Sequence, residues 1–229
     1  MFLWRKFLPC YERYILRICI ISDTHNRLDR FELPTADVLV HCGDWTLEGN
    51  HEELQLFYRA LKRVRADYKH VLVVPGNHDR IAESQTDMVE ALFKKSSITL
   101  LVDKGVVIGG KRFYGAPWVP FCGYWAFEYD NEEAAEFHWS KIPKNTDFLI
   151  THSPPHTVLD LSANKWANGN SGCPILAKHV ERVKPKFHVF GHIHEGYGMV
   201  EYANTTFINA ASLKRDYFQQ NDPVLIDFP

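Results

Sequence analysis

ILRICIISDTHN, at residues 15–26, sets the fold, because an apolar run ends abruptly in Ser, Asp, Thr and His. An apolar run without alternation is typical of a strand buried on both faces, as in a parallel sheet. Two segments repeat this arrangement, VLVHCGD at 38–44 and VLVVPGNHD at 71–79. The sequence therefore predicts parallel strands whose polar ends share one sheet edge, at 15–21, 38–40 and 71–74.

Helices and further strands are predicted by the same periodicities. Leu54, Phe57 and Leu61 recur at helical spacing within 52–64, and Asn50 followed by Glu53 resembles a capping box there. Further helices are predicted at 88–93, 132–139 and 175–183, and further strands at 106–108, 112–114, 148–151, 187–190, 206–208 and 224–226. Strands joined first by helices and later by turns indicate an α/β (α+β) protein with mixed sheets and outer helices.

The composition favours one globular domain without a broad positive field. A chain of 229 residues, 45% apolar and 24% charged, is long enough to bury a core without disulfides. A formal net charge of −2, without a charge run, disfavours nucleic-acid binding as the main activity. Five cysteines without a C-x-x-C pair are typical of reduced thiols, so a cytoplasmic location is expected. The oligomeric state stays open.

The expected domain is 15–229, preceded by an N-terminal extension at 1–14. Arg5 and Lys6 interrupt the apolar residues of this extension, so it is a poor match to a signal peptide. No run of the sequence reaches the roughly 18–20 apolar residues of a membrane-spanning helix. The extension is expected to pack on the domain or to stay loose, and contact with a membrane surface is the alternative.

Five predicted strands end in residue types that bind metal ions. These residues are Asp23, His25, Asp44, Asn77, His152, His192 and His194. Imidazole, carboxylate and amide groups suit divalent manganese, iron or zinc. Two carboxylates, one amide and four imidazoles are too many for one ion, but they fit two ions that share a carboxylate. Such a centre activates a water and neutralises the charge that spreads over phosphoryl oxygens.

Five blocks in this order resemble the calcineurin-like metallophosphoesterase superfamily. The blocks are DTH at 23–25, GD at 43–44, GNHD at 76–79, TH at 151–152 and GHIH at 191–194. Three further segments are similar to the metallophosphoesterase-domain-containing branch, GAPW at 115–118, WAF at 125–127 and INA at 208–210. The resemblance implies a four-layer α/β/β/α sandwich of two mixed β-sheets flanked by helices, with a dinuclear metal site at the carboxyl ends of the strands.

The resemblance also implies a role for each polar residue. It assigns the first ion to Asp23, His25 and His194, the second to Asn77, His152 and His192, and the bridge to Asp44. His78 is the implied general acid that protonates the leaving alkoxide, and Asp79 is expected to orient its ring. Arg27 is a candidate contact for the substrate phosphate, with an exposed surface arginine as the alternative. The expected cofactors are two divalent transition-metal ions. Manganese is the expected metal, and iron and zinc are the alternatives.

The expected function is metal-dependent hydrolysis of small phosphodiesters, such as cyclic nucleotides, by a hydroxide that bridges the two ions. One alternative is a phosphomonoesterase or protein phosphatase. Another is a catalytically weak, metal-dependent nucleotide-binding regulatory protein. Some members of the branch replace the first His of the GHIH block, so the intact His192 argues against that regulatory role.

Several residues beside the blocks have a structural and a functional interpretation. Four aromatic residues lie in a Pro/Gly-rich segment, Trp118, Phe121, Tyr124 and Trp125. Core packing is expected for them, and a lid that stacks on a base is the alternative. His41 and His188 neighbour the blocks but are expected to be structural. Gly43, Gly76 and Gly191 are expected to allow close backbone approach at the site.

Overall fold

The computed structural model describes residues 15–163 and 169–229, so the predicted extension at 1–14 lies outside the described residues. The helices are α1 (His51–Val64), α2 (Arg80–Ser84), α3 (Thr86–Lys94), α4 (Glu132–Trp139) and α5 (Pro174–Val183). The strands are β1 (Leu16–Ile21), β2 (Val38–His41), β3 (His70–Val73), β4 (Ile98–Leu100), β5 (Lys104–Ile108), β6 (Lys111–Ala116), β7 (Val119–Pro120), β8 (Glu128–Tyr129), β9 (Phe148–Thr151), β10 (Phe187–Phe190), β11 (Gly198–Tyr202), β12 (Thr205–Asn209) and β13 (Val224–Phe228).

Two mixed sheets form the centre of the domain. The first has the strand order β13-β1-β2-β3-β4, in which β1 to β4 are parallel and β13 is antiparallel to β1. The second has the order β11-β12-β10-β9-β6-β5, with four parallel central strands and two antiparallel edge strands. A parallel bridge between Ser22 and Ala211 joins the ends of β1 and β12. The carboxyl ends of both sheets therefore meet at one edge of the sandwich.

Three hydrophobic clusters explain the layers. Side chains of both sheets, including Ile18, Val40 and Val189, pack against each other in the middle cluster. The outer face of the first sheet packs on α1 and α3, and the outer face of the second packs on α4 and α5. Because the central strands are covered on both faces, their sequences show no polar alternation. The predicted α/β/β/α sandwich is confirmed.

The start of α1 also fixes a loop that matters for the site. Asn50 Oδ1 accepts a hydrogen bond from the Glu53 N–H at 3.0 Å, as the predicted capping box requires. The Glu53 carboxylate, however, accepts from the N–H groups of Glu48 and Gly49 at 2.7 and 2.8 Å, rather than from Asn50. Glu53 therefore holds the 47–49 loop, and Leu47 in that loop contacts the site described below.

The four cysteines in the described residues are free thiols: Cys19, Cys42, Cys122 and Cys173. Across 15–163 and 169–229, no helix combines the length and apolar character needed to cross a membrane.

Candidate metal centre

The polar blocks turn sharply as they leave the strands. Asp23, His25, Asp44 and His192 have φ values of +53°, +39°, +55° and +66°, in the left-handed region that L-residues adopt rarely. Backbone hydrogen bonds join the first two blocks, from Asp23 N to the Gly43 carbonyl at 2.9 Å and from His25 N to the Asp44 carbonyl at 3.1 Å. Unfavourable backbone conformations of this kind persist where the surroundings enforce them, typically at functional sites.

The first ligand cluster consists of Asp23, His25 and His194. One ligand atom from each of these residues lies within 4.8 Å of the others. His194 Nε2 is 3.6 Å from Asp23 Oδ1, and the His25 and His194 rings stack with centroids 5.5 Å apart. The main-chain N–H of His192 donates to both Asp23 oxygens at 3.1 and 3.0 Å, which fixes the carboxylate. The structure thus brings together the set expected for a first ion.

The second ligand cluster consists of Asp44, His152 and His192, with Asn77 beside it. The three titratable residues offer ligand atoms within 4.8 Å of one another. His152 Nε2 lies 3.0 Å from Asn77 Oδ1 and 3.3 Å from Asp44 Oδ1. The His152 and His192 rings meet edge to face at 5.0 Å. The set expected for a second ion is therefore also assembled.

Asp44 lies between the two clusters. Its Oδ1 is 3.3 Å from His152 Nε2 of the second cluster. Its Oδ2 is 3.9 Å from His25 Nε2 of the first cluster. The side chain is 2% exposed, so bulk water does not solvate the carboxylate or screen its charge. This is the arrangement needed for a carboxylate shared by two cations.

Three imidazoles are oriented by backbone carbonyls. Nδ1 of His25, His152 and His194 lies at 3.0, 2.9 and 3.4 Å from the carbonyl oxygens of Thr46, Cys42 and Lys214 respectively. An Nδ1–H that donates to a carbonyl leaves Nε2 with its lone pair directed at the cluster. His25 Nε2 is buried without a hydrogen-bond partner among the described residues. A buried acceptor without a donor fits a metal ligand, because an ion supplies the missing partner.

The electrostatics of the clusters favour cations. Burial lowers the pKa of His25 and that of His192 to about 4, so both rings are neutral and their lone pairs are available. Burial also acts to lower the pKa of His152, but the Asp44 carboxylate outweighs it and raises that pKa to about 9. Burial opposes ionisation of Asp44, yet His152 and His78 hold its pKa well below the usual range. A divalent ion bound between Asp44 and His152 would compete with the proton that His152 holds in the protein alone.

Three glycines allow these side chains to approach the backbone. A Cβ built at Gly43 would lie 2.4 Å from His152 Nδ1, and one at Gly76 would lie 2.2 Å from Asp44 Oδ1. A Cβ at Gly191 would lie 2.0 Å from Asp23 Oδ2. All three distances are far below normal contact, so any larger residue displaces a ligand. The predicted close approach at the three glycines is confirmed.

His78 lies beside the shared carboxylate. Its main-chain N–H donates to Asp44 Oδ1 at 2.9 Å, and its ring Nε2 is 4.0 Å from Asp44 Oδ2. Its Nδ1 is hydrogen-bonded to the Leu47 carbonyl of the loop that Glu53 fixes. The ring meets His25 edge to face at 4.8 Å. Nε2 is thereby directed towards the space between the clusters.

Asp79 has partners other than the His78 ring. Its carboxylate accepts from the N–H of Gly76 at 2.7 Å and from the N–H and hydroxyl of Thr46 at 2.9 and 2.7 Å. Burial and the nearby Asp44 charge raise the pKa of Asp79 to about 7. The prediction that Asp79 orients the His78 ring is therefore wrong, since Leu47 does so. Asp79 instead ties the turn after β3 to the turn after β2.

Core packing was expected for four aromatic residues, and for two of them that expectation is wrong, because Phe121 is 51% exposed and Tyr124 is 83% exposed.

The other flanking residues divide into structural and site-facing ones. Trp118 packs on His138 at 3.4 Å between ring centroids and donates its Nε1–H to Asp103, as expected for a core residue. Trp125, by contrast, lies 4.1 Å from the His78 ring. Arg27 is half-buried with its guanidinium 5.6 Å from the Phe218 ring centroid, so its phosphate contact stays a prediction.

His41 and His188 are structural in the way the sequence predicts. Each is fully buried, and each pairs Nε2 with a threonine hydroxyl at 2.9 Å, His41 with Thr24 and His188 with Thr151. Neither belongs to a ligand cluster in the described part of the chain. The two pairs fix the backbone next to the DTH and TH blocks.

Sequence reasoning missed Tyr217. Its ring lies 4.9 Å from the His25 ring and 5.0 Å from the His194 ring. It reaches this position because the segment after β12 folds back over the first cluster. No motif surrounds Tyr217 in the sequence, so only the three-dimensional fold reveals its place.

Two ligand clusters on either side of the buried Asp44, at the carboxyl edge of two packed sheets, fit a metal-dependent phosphoesterase. The chain belongs to the calcineurin-like phosphoesterase family, whose family profile matches residues 16–196. A UPF0046 protein of Caenorhabditis elegans is 37% identical over 227 residues, covering 93% of this chain and 76% of that protein. Metallophosphoesterase domain-containing protein 1 of Homo sapiens is 35% identical over 243 residues, covering 96% and 72%.

Solved structures share the fold. TT1561 of Thermus thermophilus has a TM-score of 0.62 at 14% identity, covering 86% of this chain and 90% of that one. The phosphopantetheinyl hydrolase of Mycobacterium tuberculosis has a TM-score of 0.62 at 14% identity, covering 91% and 95%. At this identity the likeness concerns the fold alone.

Proposed function

We propose that this protein is a phosphodiesterase that hydrolyses small phosphodiesters, including cyclic nucleotides. It would use two divalent ions, and manganese is the favoured metal. The position of Asp44 carries the proposal, because its two oxygens face different clusters, 3.3 Å from His152 Nε2 and 3.9 Å from His25 Nε2. A cytoplasmic location is part of the proposal, supported by the free thiols of the four described cysteines.

Each of the two ligand sets would hold one ion. Asp23, His25 and His194 would hold one ion, and Asn77, His152 and His192 would hold the other, with Asp44 between the two sets. When bound, the two ions supply an activated water and neutralise charge on the phosphoryl oxygens. The protein contributes rigidity, since the carbonyl contacts of Nδ1 hold the imidazoles in their binding orientation before any ion arrives.

His78 donates a proton to the leaving oxygen. Its Nδ1–H is held by the Leu47 carbonyl, so Nε2 is the free ring nitrogen, and in the doubly protonated ring the Nε2–H is the proton available for transfer. The side chain is 15% exposed, which gives a substrate access without immersing the ring in water. General-acid catalysis by a positioned side chain contributes roughly 10²–10⁴-fold to rate.

The surroundings of His78 favour a diester over a monoester. Trp125 lies against the His78 ring at 4.1 Å, so the leaving group meets an aromatic surface. The guanidinium groups of Arg27 and Arg80 lie over the rings of Phe218 and Trp125, at 5.6 and 4.4 Å from the centroids. Arg80 thereby supports the aromatic wall that Trp125 forms beside His78, whereas the Phe218 ring under Arg27 is 80% exposed. An aromatic wall suits a monoanionic diester with two organic groups better than a monoester dianion.

Two measurements on manganese-loaded protein test this function. The rate for bis-p-nitrophenyl phosphate should exceed that for p-nitrophenyl phosphate, and a preference for the monoester overturns the substrate class. His78→Asn should lower kcat for an alkyl leaving group by about 100-fold while metal content stays unchanged. His70→Asn, at the exposed opposite end of β3, is the matched control and should behave as wild type. Equal rates for both variants would remove His78 from the mechanism.

A further inference from the structure

A closed loop lies over the first ligand cluster. Leu213 and Gln220 form an antiparallel bridge at the base of this loop, residues 213–220. Inside it, the Asp216 carboxylate accepts from the N–H groups of Phe218 and Gln219, each at 2.9 Å. The Lys214 N–H donates to the Gln219 carbonyl at 2.8 Å. The loop therefore has its own hydrogen-bonded framework.

This loop is attached to a ligand of the first cluster. The Lys214 carbonyl accepts from the Tyr217 N–H at 2.8 Å and lies 3.4 Å from His194 Nδ1. One carbonyl thus links the orientation of the His194 ring to the position of Tyr217. Displacement of the loop would disturb both residues together.

Tyr217 adopts a backbone conformation that the loop imposes. Its φ is +60°, in the left-handed region that is an outlier for a bulky residue. This conformation turns the ring towards the site, 4.9 Å from the His25 ring and 5.0 Å from the His194 ring. A disfavoured conformation that directs one side chain at a ligand cluster indicates a role beyond filling space.

The hydroxyl of Tyr217 is available as a donor. Across the described ranges no residue forms a hydrogen bond with it, although the side chain is only half-exposed. A phenolic hydroxyl is both a donor and an acceptor, and it carries its proton at neutral pH. A phenolic O–H close to these ligands can donate to an anion bound there.

We propose that Tyr217 is a substrate-contact residue that donates its phenolic O–H to a phosphoryl oxygen held at the first ligand cluster. The inference rests on the proposed function, because the oxygen belongs to the phosphate ester that the enzyme binds. A hydrogen bond to a charged group is the stronger kind, and its removal changes binding and rate together.

The test uses Tyr217→Phe, which keeps the ring and removes only the hydroxyl. Tyr202→Phe is the control, since Tyr202 is 72% exposed at the far end of β11. For manganese-loaded proteins, three quantities are measured: metal content, the Kd of inorganic phosphate by calorimetry, and kcat/KM for bis-p-nitrophenyl phosphate. Tyr217→Phe should lower kcat/KM by about 10-fold to 100-fold and weaken phosphate binding by about 10-fold, with metal content and Tm unchanged.

Each outcome bears on one proposal or on both. Phosphate binding and kcat/KM equal to the control overturn the contact, while turnover by the wild type leaves the proposed function intact. Loss of metal from Tyr217→Phe also overturns it, because the phenol is then a ligand. If the wild type shows no turnover but Tyr217→Phe binds phosphate more weakly than the wild type does, the contact is supported and the hydrolase is refuted. Absence of phosphate binding by the wild type overturns the contact.

Discussion

Gly191→Ala probes the first ligand cluster without changing a charge or a hydrogen-bonding group. The new Cβ would lie 2.0 Å from Asp23 Oδ2 and 2.1 Å from Ser22 Oγ, whereas real Cβ contacts essentially never fall under 3.0 Å. Asp23 is 0% exposed, so its carboxylate has no solvent to move into. The carboxylate must therefore shift by about 1 Å, which exceeds the tolerance of a metal ligand.

The shift has consequences for binding, rate and stability. The two bonds from the His192 N–H to Asp23, now 3.1 and 3.0 Å, would be stretched towards breaking. Overpacking of this kind costs about 1–3 kcal/mol of folding free energy. A misplacement of about 1 Å lowers catalytic rate by about 100-fold. We therefore expect loss of the first ion and at least this loss of kcat/KM.

The assay compares metal content, kcat/KM and urea unfolding of Gly191→Ala with those of Gly110→Ala. A Cβ at Gly110 meets nothing within 4 Å, although the residue has a φ of +79°. This control should lose about 1–2 kcal/mol of stability through backbone strain and keep its metal and its activity. The reasoning is refuted if Gly191→Ala keeps both ions and wild-type kcat/KM.

Two further predictions concern the structural residues. Burial lowers the pKa of His188 to about 3, below its ordinary value of 6.5, so the unfolded chain binds a proton that the folded chain excludes. In metal-free protein, His188 alone should therefore contribute a loss of about 1.4 kcal/mol of stability per pH unit as pH falls below about 6.5. His188→Gln should flatten the slope measured in urea titrations by that amount, and a slope equal to that of the wild type would count against this account. Trp118→Ala, which removes the packing on His138 and the bond to Asp103, should lower stability by about 2–3 kcal/mol. It should change KM for nucleotide and p-nitrophenyl esters equally, whereas a selective rise for nucleotides would assign Trp118 to a lid.

The ligand residues could be predicted because each lies in a local pattern. An apolar run followed by Asp23 or Asp44 identifies both the strand and the residue at its carboxyl end. Parallel pairing then places those ends together, whatever the length of chain between them. The helix α1 was predictable for the same reason, since its apolar stripe and Asn50 cap are encoded within one segment.

The rest depends on contacts between distant residues. Asp79 binds Thr46 because the turns after β2 and β3 lie side by side, and sequence alone does not show that arrangement. Tyr217 reaches His25 only through the fold of a loop far along the chain. Elements also escaped prediction where they are too short or too exposed for a pattern, as with β4 at Ile98–Leu100 and the edge strand β11.

Metal content tests the central claim, that Asp44 joins two ion sites, most directly. Protein loaded with manganese and freed of excess metal is measured by elemental analysis and by electron paramagnetic resonance, for the wild type and Asp44→Asn. The account predicts two coupled manganese ions per chain in the wild type, and fewer ions without coupling in Asp44→Asn. A single ion in the wild type, or two coupled ions retained in Asp44→Asn, would contradict it.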